Sequence, residues 1–472
     1  MTTLNKLILS LATQLGAFKL FMVLMILVQT LLTPVLPWIG KVGNIVIALW
    51  AAFILAYDFF HGRRLIRKGL NLWLMLFLAA TAVSIAVNFR TQLMDNLEGY
   101  VMLVIQLMVL LPAYREDPAS LKGDLRLFVN GLAAVMFLCS AAGFVLYTLD
   151  KPIYLYTYRF SGVFSNPNFA SVMGLFGTLA SLVSLTCLPE RHKKAYKVFH
   201  IVNALLCFVL FTVANSNTGR VMLCVALAAL LFFLPFSLAG LKKIYARVTA
   251  GLLAAVVGAG VGYALYSGTQ TAAAYVPGTV RYARAMLAER PERPEQPEGE
   301  QPMDKPTIEK ENFNRSEEDV QLDNNRFTIW RQGFEVFKRH PVFGCGPRNI
   351  YEGVQRYVAE PRSEIEAGGL HNMYLELLAT GGLAAFLPFM IWFALAAVRV
   401  IRGLAQPRSL KDPASWRLWL MGAGAAAFAV MNLTESAMLF STAAYSMCFF
   451  VLLGFLLNLL QLEKAEGKAV QS

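Results

Sequence analysis

Charged residues are scarce in this sequence. Asp, Glu, Lys and Arg make up 15% of its 472 residues, against roughly 25% in an average soluble domain. A water-soluble protein of this length needs more charged surface, so the composition excludes a soluble enzyme. Long apolar runs alternate with short polar stretches that are often basic, a pattern typical of an all-α membrane protein that crosses the bilayer many times.

Several patterns that carry chemistry are also missing. Five of the six cysteines lie inside apolar runs and Cys345 lies in a loop, which is neither a disulfide framework nor a metal-binding spacing. The chain has no glycine-rich phosphate loop and no His-Glu-x-x-His segment. We therefore expect no metal, no cofactor and no cytoplasmic ATP site. The net charge of +12 does not indicate nucleic acid, because no basic stripe with interleaved aromatic residues stands on a soluble domain.

What the sequence does contain is a series of apolar runs. Twelve are long enough to span a bilayer. The predicted spans are residues 18–37, 42–60, 70–88, 98–114, 125–148, 166–188, 197–214, 221–240, 246–266, 371–398, 416–433 and 437–460.

Lysine and arginine predict the orientation of these spans. They concentrate in segments 61–68, 191–197, 242–247 and 399–417, which are alternate loops in the twelve-span count. Because basic loops stay in the cytoplasm, we expect both termini there and the remaining loops outside.

The predicted organisation has three parts. Residues 1–266 hold the first nine spans, residues 267–370 form one long extracytoplasmic loop, and residues 371–472 hold the last three spans with a cytoplasmic tail. Within the loop, segment 289–306 is rich in Pro and Glu and predicts disorder. Segment 323–358 predicts ordered short helices.

An amphipathic helix is predicted in the ordered part of the loop. Phe327, Trp330, Phe334 and Phe337 recur at helical spacing, and Pro341 ends the pattern. We expect this helix at the outer membrane surface.

Four polar clusters lie where apolar runs begin or a loop helix starts, all on the predicted outer side, where polar groups are costly. The first runs from Arg159 to Asn168, and a helix cap explains its Asn-Pro pair. The second ends in Thr218-Gly219-Arg220, where we expect Thr218 to cap a helix. Arg220 would then lie in the first turn, where the helix dipole disfavours a cation unless an anion such as phosphate shares the site. An interfacial arginine that reaches lipid phosphate explains it equally well.

The third cluster lies within the long loop, and the fourth lies at the end of the loop. Arg326 starts the loop helix and alone is typical of a solvated surface arginine. His371-Asn372 begins a late span, and a helix start favours a neutral imidazole, which suits a general base. Glu376 lies a turn deeper and needs a partner, such as an arginine of the second or third cluster. A lone histidine at this place is more often a capping or interfacial residue.

Taken together, the clusters resemble the O-antigen ligase and polymerase superfamily. The segment from Arg159 matches its Arg-x-x-Gly-x-Phe-x-Asn-Pro-Asn pattern, and the segment that ends at Arg220 matches its polar link before a span. Arg326 begins its Arg-x-x-x-Trp helix, which a His-Pro-x-x-Gly-x-Gly turn follows at His340. His371 and the next residue match its His-Asn start of a late span.

The resemblance implies a bacterial cytoplasmic-membrane enzyme. Such an enzyme transfers a glycan from an undecaprenyl-diphosphate carrier to a hydroxyl of a glycan or glycolipid acceptor, outside the membrane and without a metal. The resemblance assigns catalysis to His371 as the proton acceptor and to Arg220 and Arg326 as ligands of the leaving diphosphate. Substrate contacts are expected from Arg159, Asn168, Arg348, Asn372 and Glu376.

Two other functions fit parts of the pattern. Twelve spans with both ends inside is also a transporter plan, for example of a flippase for lipid-linked oligosaccharides. A transporter should carry polar residues near mid-membrane in both halves, whereas here they cluster on the outer side. A scaffold or sensor of cell-wall assembly would leave the four clusters unexplained. Ligase and polymerase differ only in their acceptor, which the sequence does not separate.

Overall fold

The computed structural model describes most of the chain. The described residues are 11, 13–32, 36, 38–60, 70–112, 118–149, 160–188, 193–238, 240–241, 243–288, 308, 310 and 325–469. Arg159, the basic segment 61–68 and the Pro/Glu segment 289–306 lie outside them.

These residues form helices and no strand. The helices are α1 Leu15–Leu32, α2 Trp38–Phe60, α3 Leu70–Val87, α4 Leu93–Ile105, α5 Pro118–Thr148, α6 Pro167–Leu185, α7 Lys193–Val213, α8 Asn217–Phe233, α9 Ile244–Ala273, α10 Val276–Ala288, α11 Arg326–Arg339, α12 Ile350–Tyr357, α13 Glu364–Gly368, α14 Met373–Leu404, α15 Pro413–Met431 and α16 Ala444–Ala469.

The predicted all-helical membrane architecture is confirmed. Each of the twelve predicted runs overlaps one helix, as expected when a bilayer forces the backbone to satisfy its own hydrogen bonds, although the last run begins at residue 437 and its helix only at Ala444. Among the described residues, nine helical segments are long and apolar enough to span a membrane, on α2, α4 to α9, α14 and α16. Helices α1 and α3 are apolar but shorter. The full count of twelve spans stays a prediction.

The helix bundle has a buried centre and an apolar periphery. Most of the spanning lengths of α6 and α16 are buried, so these two helices lie in the middle. Helix α9 packs mainly on α8. Its outward residues Leu253 and Val256 are 66% and 73% exposed. An apolar surface this open is typical of a face that contacts lipid.

Helix α14 is broken near its beginning. Gly382 has φ 60° and ψ −172°, a conformation open essentially to glycine alone. The break removes helical hydrogen bonds on both sides, and the turn from Pro341 replaces them. Cys345 N donates to Ala379 O at 3.1 Å and Gly346 N to Thr380 O at 2.9 Å, while Leu383 N and Ala384 N donate to Pro341 O and Val342 O.

These four backbone hydrogen bonds between residues 341–346 and α14, called the seam below, fix the loop domain, residues 325–370, to the bundle. The loop domain has a small core of its own, which includes Ile329, Val336, Val354 and Leu370 and is closed from below by Ala379 of α14. Backbone bonds and a shared core therefore set the position of α11 relative to the start of α14. Arg326 and His371 lie on these two elements.

The aromatic residues of α11 divide between two faces. The helix forms over Arg326–Arg339, as the spacing predicts. Trp330 and Phe337 pack against the loop-domain core, whereas Phe327 and Phe334 are 75% and 44% exposed. The location of this outward pair at a membrane surface stays a prediction.

Candidate active site

A carboxylate that the sequence analysis missed joins all four polar clusters. Glu435 Oε1 accepts hydrogen bonds from Asn168 Nδ2 at 3.2 Å and Thr218 Oγ1 at 3.3 Å, and lies 3.5 Å from Arg326 Nη2. Glu435 Oε2 lies 3.3 Å from His371 Nδ1. The side chain of Glu435 is 16% exposed. Because a largely buried carboxylate needs partners, the four clusters and this glutamate depend on one another.

Glu435 lies on an irregular segment, residues 432–443, between α15 and α16. Arg326 Nη1 donates to Thr434 O at 2.8 Å, and Met373 N donates to Asn432 O at 3.0 Å. The predicted spans ended at 433 and began again at 437. The predicted link between them was therefore only residues 434–436, and Glu435 was not singled out as a site residue. A lone carboxylate in a polar link on the same predicted side as the four clusters was the signal that could have found it.

Clusters one and two are joined by the caps of α6 and α8. Asn166 caps α6, accepting from Asn168 N at 2.7 Å. Ser216 caps α8, accepting from Gly219 N, and donates its hydroxyl hydrogen to Asn168 Oδ1 at 2.9 Å. The expectation that Thr218 caps α8 is therefore wrong. Ser216 lies where its hydroxyl reaches the N–H groups of the first turn, and Thr218 faces Glu435 instead.

His371 is held in a constrained position. Its backbone is left-handed, with φ 49°, and its side chain is 27% exposed. A Cβ added to Gly368 would lie 2.5 Å from the imidazole Cε1, so the ring packs directly on the glycine backbone. Asn372 caps α14, accepting from Leu375 N at 3.0 Å. The side chain of Asn372 thus makes the capping contact that its position at a helix start favours.

The two predicted catalytic arginines lie in different surroundings. Arg326 contacts the Glu435 carboxylate directly. Arg220 lies over the rings of Tyr263 and Tyr266, with its Cζ 5.8 and 5.1 Å from their centroids. Arg220 is therefore held by cation–π contacts at the α8–α9 surface.

A polar cavity of about 720 Å³ opens beside Glu435. His371, Asn168, Arg348 and Glu376 line it. Arg220, Arg326 and Asn372 are not among its lining residues. The volume falls within the roughly 300–1,000 Å³ of small-ligand sites.

Backbone contacts hold two of the lining residues. Arg348 Nη2 donates to Phe440 O at 2.9 Å, which ties the turn after the seam to segment 432–443. Glu376 Oε2 accepts from Leu370 N at 2.8 Å, which provides the partner that its depth demanded. An arginine was the predicted partner of Glu376, but Oε2 contacts the Leu370 backbone N–H instead.

The second outward histidine has a different environment. His340 Nε2 lies 2.8 Å from the Tyr357 hydroxyl and links the end of α11 to α12. Burial, together with the nearby charge of Arg356, lowers the pKa of His340. It does not line the cavity.

Residues 202–390 match the family described as O-antigen ligase. This part of the chain is similar to the O-antigen ligase family. The resemblance read from the motifs is thereby confirmed at the level of the superfamily. No curated protein matches the chain at a significant level.

The O-antigen ligase match covers most of the candidate site. Arg220, Arg326, Arg348 and His371 lie inside it, whereas Glu435 lies beyond its end. Together with the apolar helices, the match supports an integral protein of the bacterial inner membrane, and the family it resembles is one of membrane glycan ligases and polymerases. Within the described part of the chain, no group of three or more His, Cys, Asp or Glu residues is arranged to hold a metal ion.

Proposed function

We propose that this protein moves a glycan from an undecaprenyl-diphosphate carrier to an acceptor sugar hydroxyl on the outer face of the cytoplasmic membrane. The observation that carries the proposal is the Glu435 carboxylate, which links His371 and Arg326 beside the polar cavity. A proton acceptor and a cation next to one cavity are the groups that this transfer requires.

His371 takes the proton of the acceptor hydroxyl. A histidine whose Nδ1–H points at a carboxylate presents the lone pair of Nε2, and the carboxylate stabilises the imidazolium that forms. Glu435 lies 3.3 Å from Nδ1 and fills this role. It acts through His371 and is a positioning residue in this reaction.

The remaining steps concern the carrier. The acceptor oxygen bonds to the anomeric carbon as that carbon's bond to the phosphate oxygen breaks. The diphosphate leaves with the electron pair, and the proton stays on His371. Because the leaving group is already stable, it needs positive charge more than a general acid. Arginine supplies charge and paired N–H donors in one planar group, a role we assign to Arg326 and Arg220.

Arg348 and Glu376 line the same cavity and are proposed to contact substrate there. Asn168 lies between Ser216 and Glu435 and is proposed to hold the carboxylate in place. For Arg159 and Asn372, substrate contact stays an expectation that rests on the family motifs alone.

A reconstituted reaction tests the proposal. The purified protein in lipid nanodiscs, given undecaprenyl-diphosphate oligosaccharide and candidate acceptors, should release free carrier diphosphate and form the extended glycan. We expect the same rate with a metal chelator present. Movement of the intact lipid-linked donor across a vesicle membrane, with no glycan transferred, would support the flippase alternative instead.

A further inference from the structure

The charge of the cavity is opposite to the charge that a diphosphate requires. Among the described lining residues, four are glutamates and one is an arginine, which gives a formal charge of 1 − 4 = −3 when every carboxyl group is ionised and His371 is uncharged. The carboxylates are Glu352, Glu366, Glu376 and Glu435, and the arginine is Arg348. Including Arg326, which contacts Glu435, still leaves an excess of negative charge. A diphosphate is therefore disfavoured inside the cavity and is expected beside Arg326, outside the lining residues.

The four carboxylates divide into two pairs. Glu435 and Glu376, from segment 432–443 and α14, are engaged with His371 and with Leu370 N. Glu352 and Glu366 lie on α12 and α13 of the loop domain. With Arg348, which also belongs to the loop domain, they give the cavity's loop-domain side a formal charge of 1 − 2 = −1.

One carboxylate oxygen on this side has a position that favours a ligand. Glu352 Oε1 accepts a hydrogen bond from Gln92 Nε2. Glu352 Oε2 is buried and has no hydrogen-bond partner among the described residues. A buried acceptor without a donor is costly, and a rotation of the Glu352 side chain that brings Oε2 to the cavity surface would let a hydroxyl or ammonium group of a ligand satisfy it.

We propose that Gln92, Tyr351, Glu352 and Glu366 form the acceptor-sugar subsite, which takes a neutral or amine-bearing sugar and rejects one that carries a carboxylate or phosphate there. This inference rests on the proposed transferase function. Carboxylates accept hydrogen bonds from sugar hydroxyls and ammonium groups, the Gln92 amide offers both donor and acceptor atoms, and Tyr351 adds an aromatic surface. An anionic sugar would meet like charges in a partly buried site, where screening by salt is weak.

Charged thiol reagents measure the potential of the cavity directly. Thr442 lines the cavity and has no assigned role in the reaction, so Thr442→Cys places a reporter there. A cationic methanethiosulfonate should modify it at least tenfold faster than an anionic one, after correction for a control thiol at the exposed Thr328 and for labelling of the native cysteines. Glu352→Gln with Glu366→Gln should cut this ratio severalfold. Equal rates for the two reagents at Thr442→Cys would overturn the proposal.

The same reporter tests the sugar class. Three tetrasaccharides, of glucosamine, N-acetylglucosamine and galacturonate, are added before an uncharged thiol reagent. The first two should protect the reporter cysteine and the third should not. Glu352→Gln with Glu366→Gln should remove the discrimination against galacturonate, while Glu335→Gln, an exposed glutamate paired with Lys338, should leave it unchanged.

Protection by galacturonate as strong as by N-acetylglucosamine would overturn the inference, and so would protection by none of the three. Because neither measurement involves transfer, they separate failure of the subsite from failure of the proposed reaction.

Discussion

At the scale of single residues, the site is organised around Glu435. Its two carboxylate oxygens serve four neighbours that come from four separate stretches of sequence. Removing the carboxylate would take the acceptor from Asn168 Nδ2 and Thr218 Oγ1 and the ion-pair partner from Arg326, and His371 would lose the group that fixes its tautomer.

Glu435→Gln should therefore impair transfer while the protein still folds. The amide keeps the size of the side chain but replaces one accepting oxygen with a donor. We expect a loss of transfer rate of about 10²-fold or more, within the range for a disabled general base. Glu335→Gln, on the exposed face of α11, is the matched control and should retain full rate. Wild-type transfer by Glu435→Gln would remove this residue from the mechanism.

The arginines offer a second test at this scale. Lysine keeps the charge of Arg326 and Arg220 but loses the planar pair of N–H donors, so both Arg→Lys variants should transfer slowly. Stabilisation of the protein against heat by the carrier diphosphate should shrink in each. Arg331→Lys, at an exposed position on α11, provides the comparison. Full transfer by both site variants would mean that these arginines only anchor the protein at the interface.

The sequence could not show that Glu435 belongs to the site. Its neighbours in the chain form a short polar link, and its importance comes from contacts with residues 64 to 267 positions away. The residues of the four clusters were visible because each stands at the start of a helix. Which of them share a partner depends on packing. The family resemblance gave Arg220 and Arg326 the same role, yet one contacts tyrosine rings and the other a carboxylate.

At the scale of elements, apolar length predicted nearly every membrane helix, because the bilayer leaves the backbone few alternatives. The break in α14 was not predicted. A Gly-Gly pair within an apolar run is compatible with a continuous helix. The groups that satisfy the broken helix come from residues 341–346, in another part of the chain.

Gly382→Ala tests the seam. The added Cβ would lie 2.3 Å from Val342 O, and alanine disfavours the backbone conformation at this position. We expect a loss of stability of about 1–3 kcal/mol, seen as a lower midpoint of thermal unfolding in detergent. Gly268→Ala on α9 has open space around the added methyl group and should not lower the midpoint. A Gly382→Ala protein as stable as the wild type would show that the seam tolerates a side chain.

At the scale of the whole molecule, the candidate site lies where α6, α8, α14 and α16 begin and α15 ends. Segment 432–443 and the loop domain complete the same end of the bundle. The alternation of basic loops predicts that this end faces away from the cytoplasm.

Cysteine labelling in intact cells tests that orientation. An impermeant thiol reagent should label a cysteine placed at Glu300, in the long loop, and should not label one placed at Ser472. The unaltered chain, with its native cysteines, gives the background. Labelling at Ser472 in intact cells would reverse the predicted topology and place the site on the wrong side for an external acceptor.

The most direct test of the account is carrier release by His371→Ala in the reconstituted reaction. A positioned base contributes about 10²–10⁴-fold, so the variant should lose that much rate while the donor lipid still protects it against thermal unfolding. His340→Ala is the matched control, since His340 bonds Tyr357 outside the cavity, and its rate should fall much less. Wild-type release by His371→Ala, or loss of donor protection together with rate, would contradict the assignment of His371 as the proton acceptor.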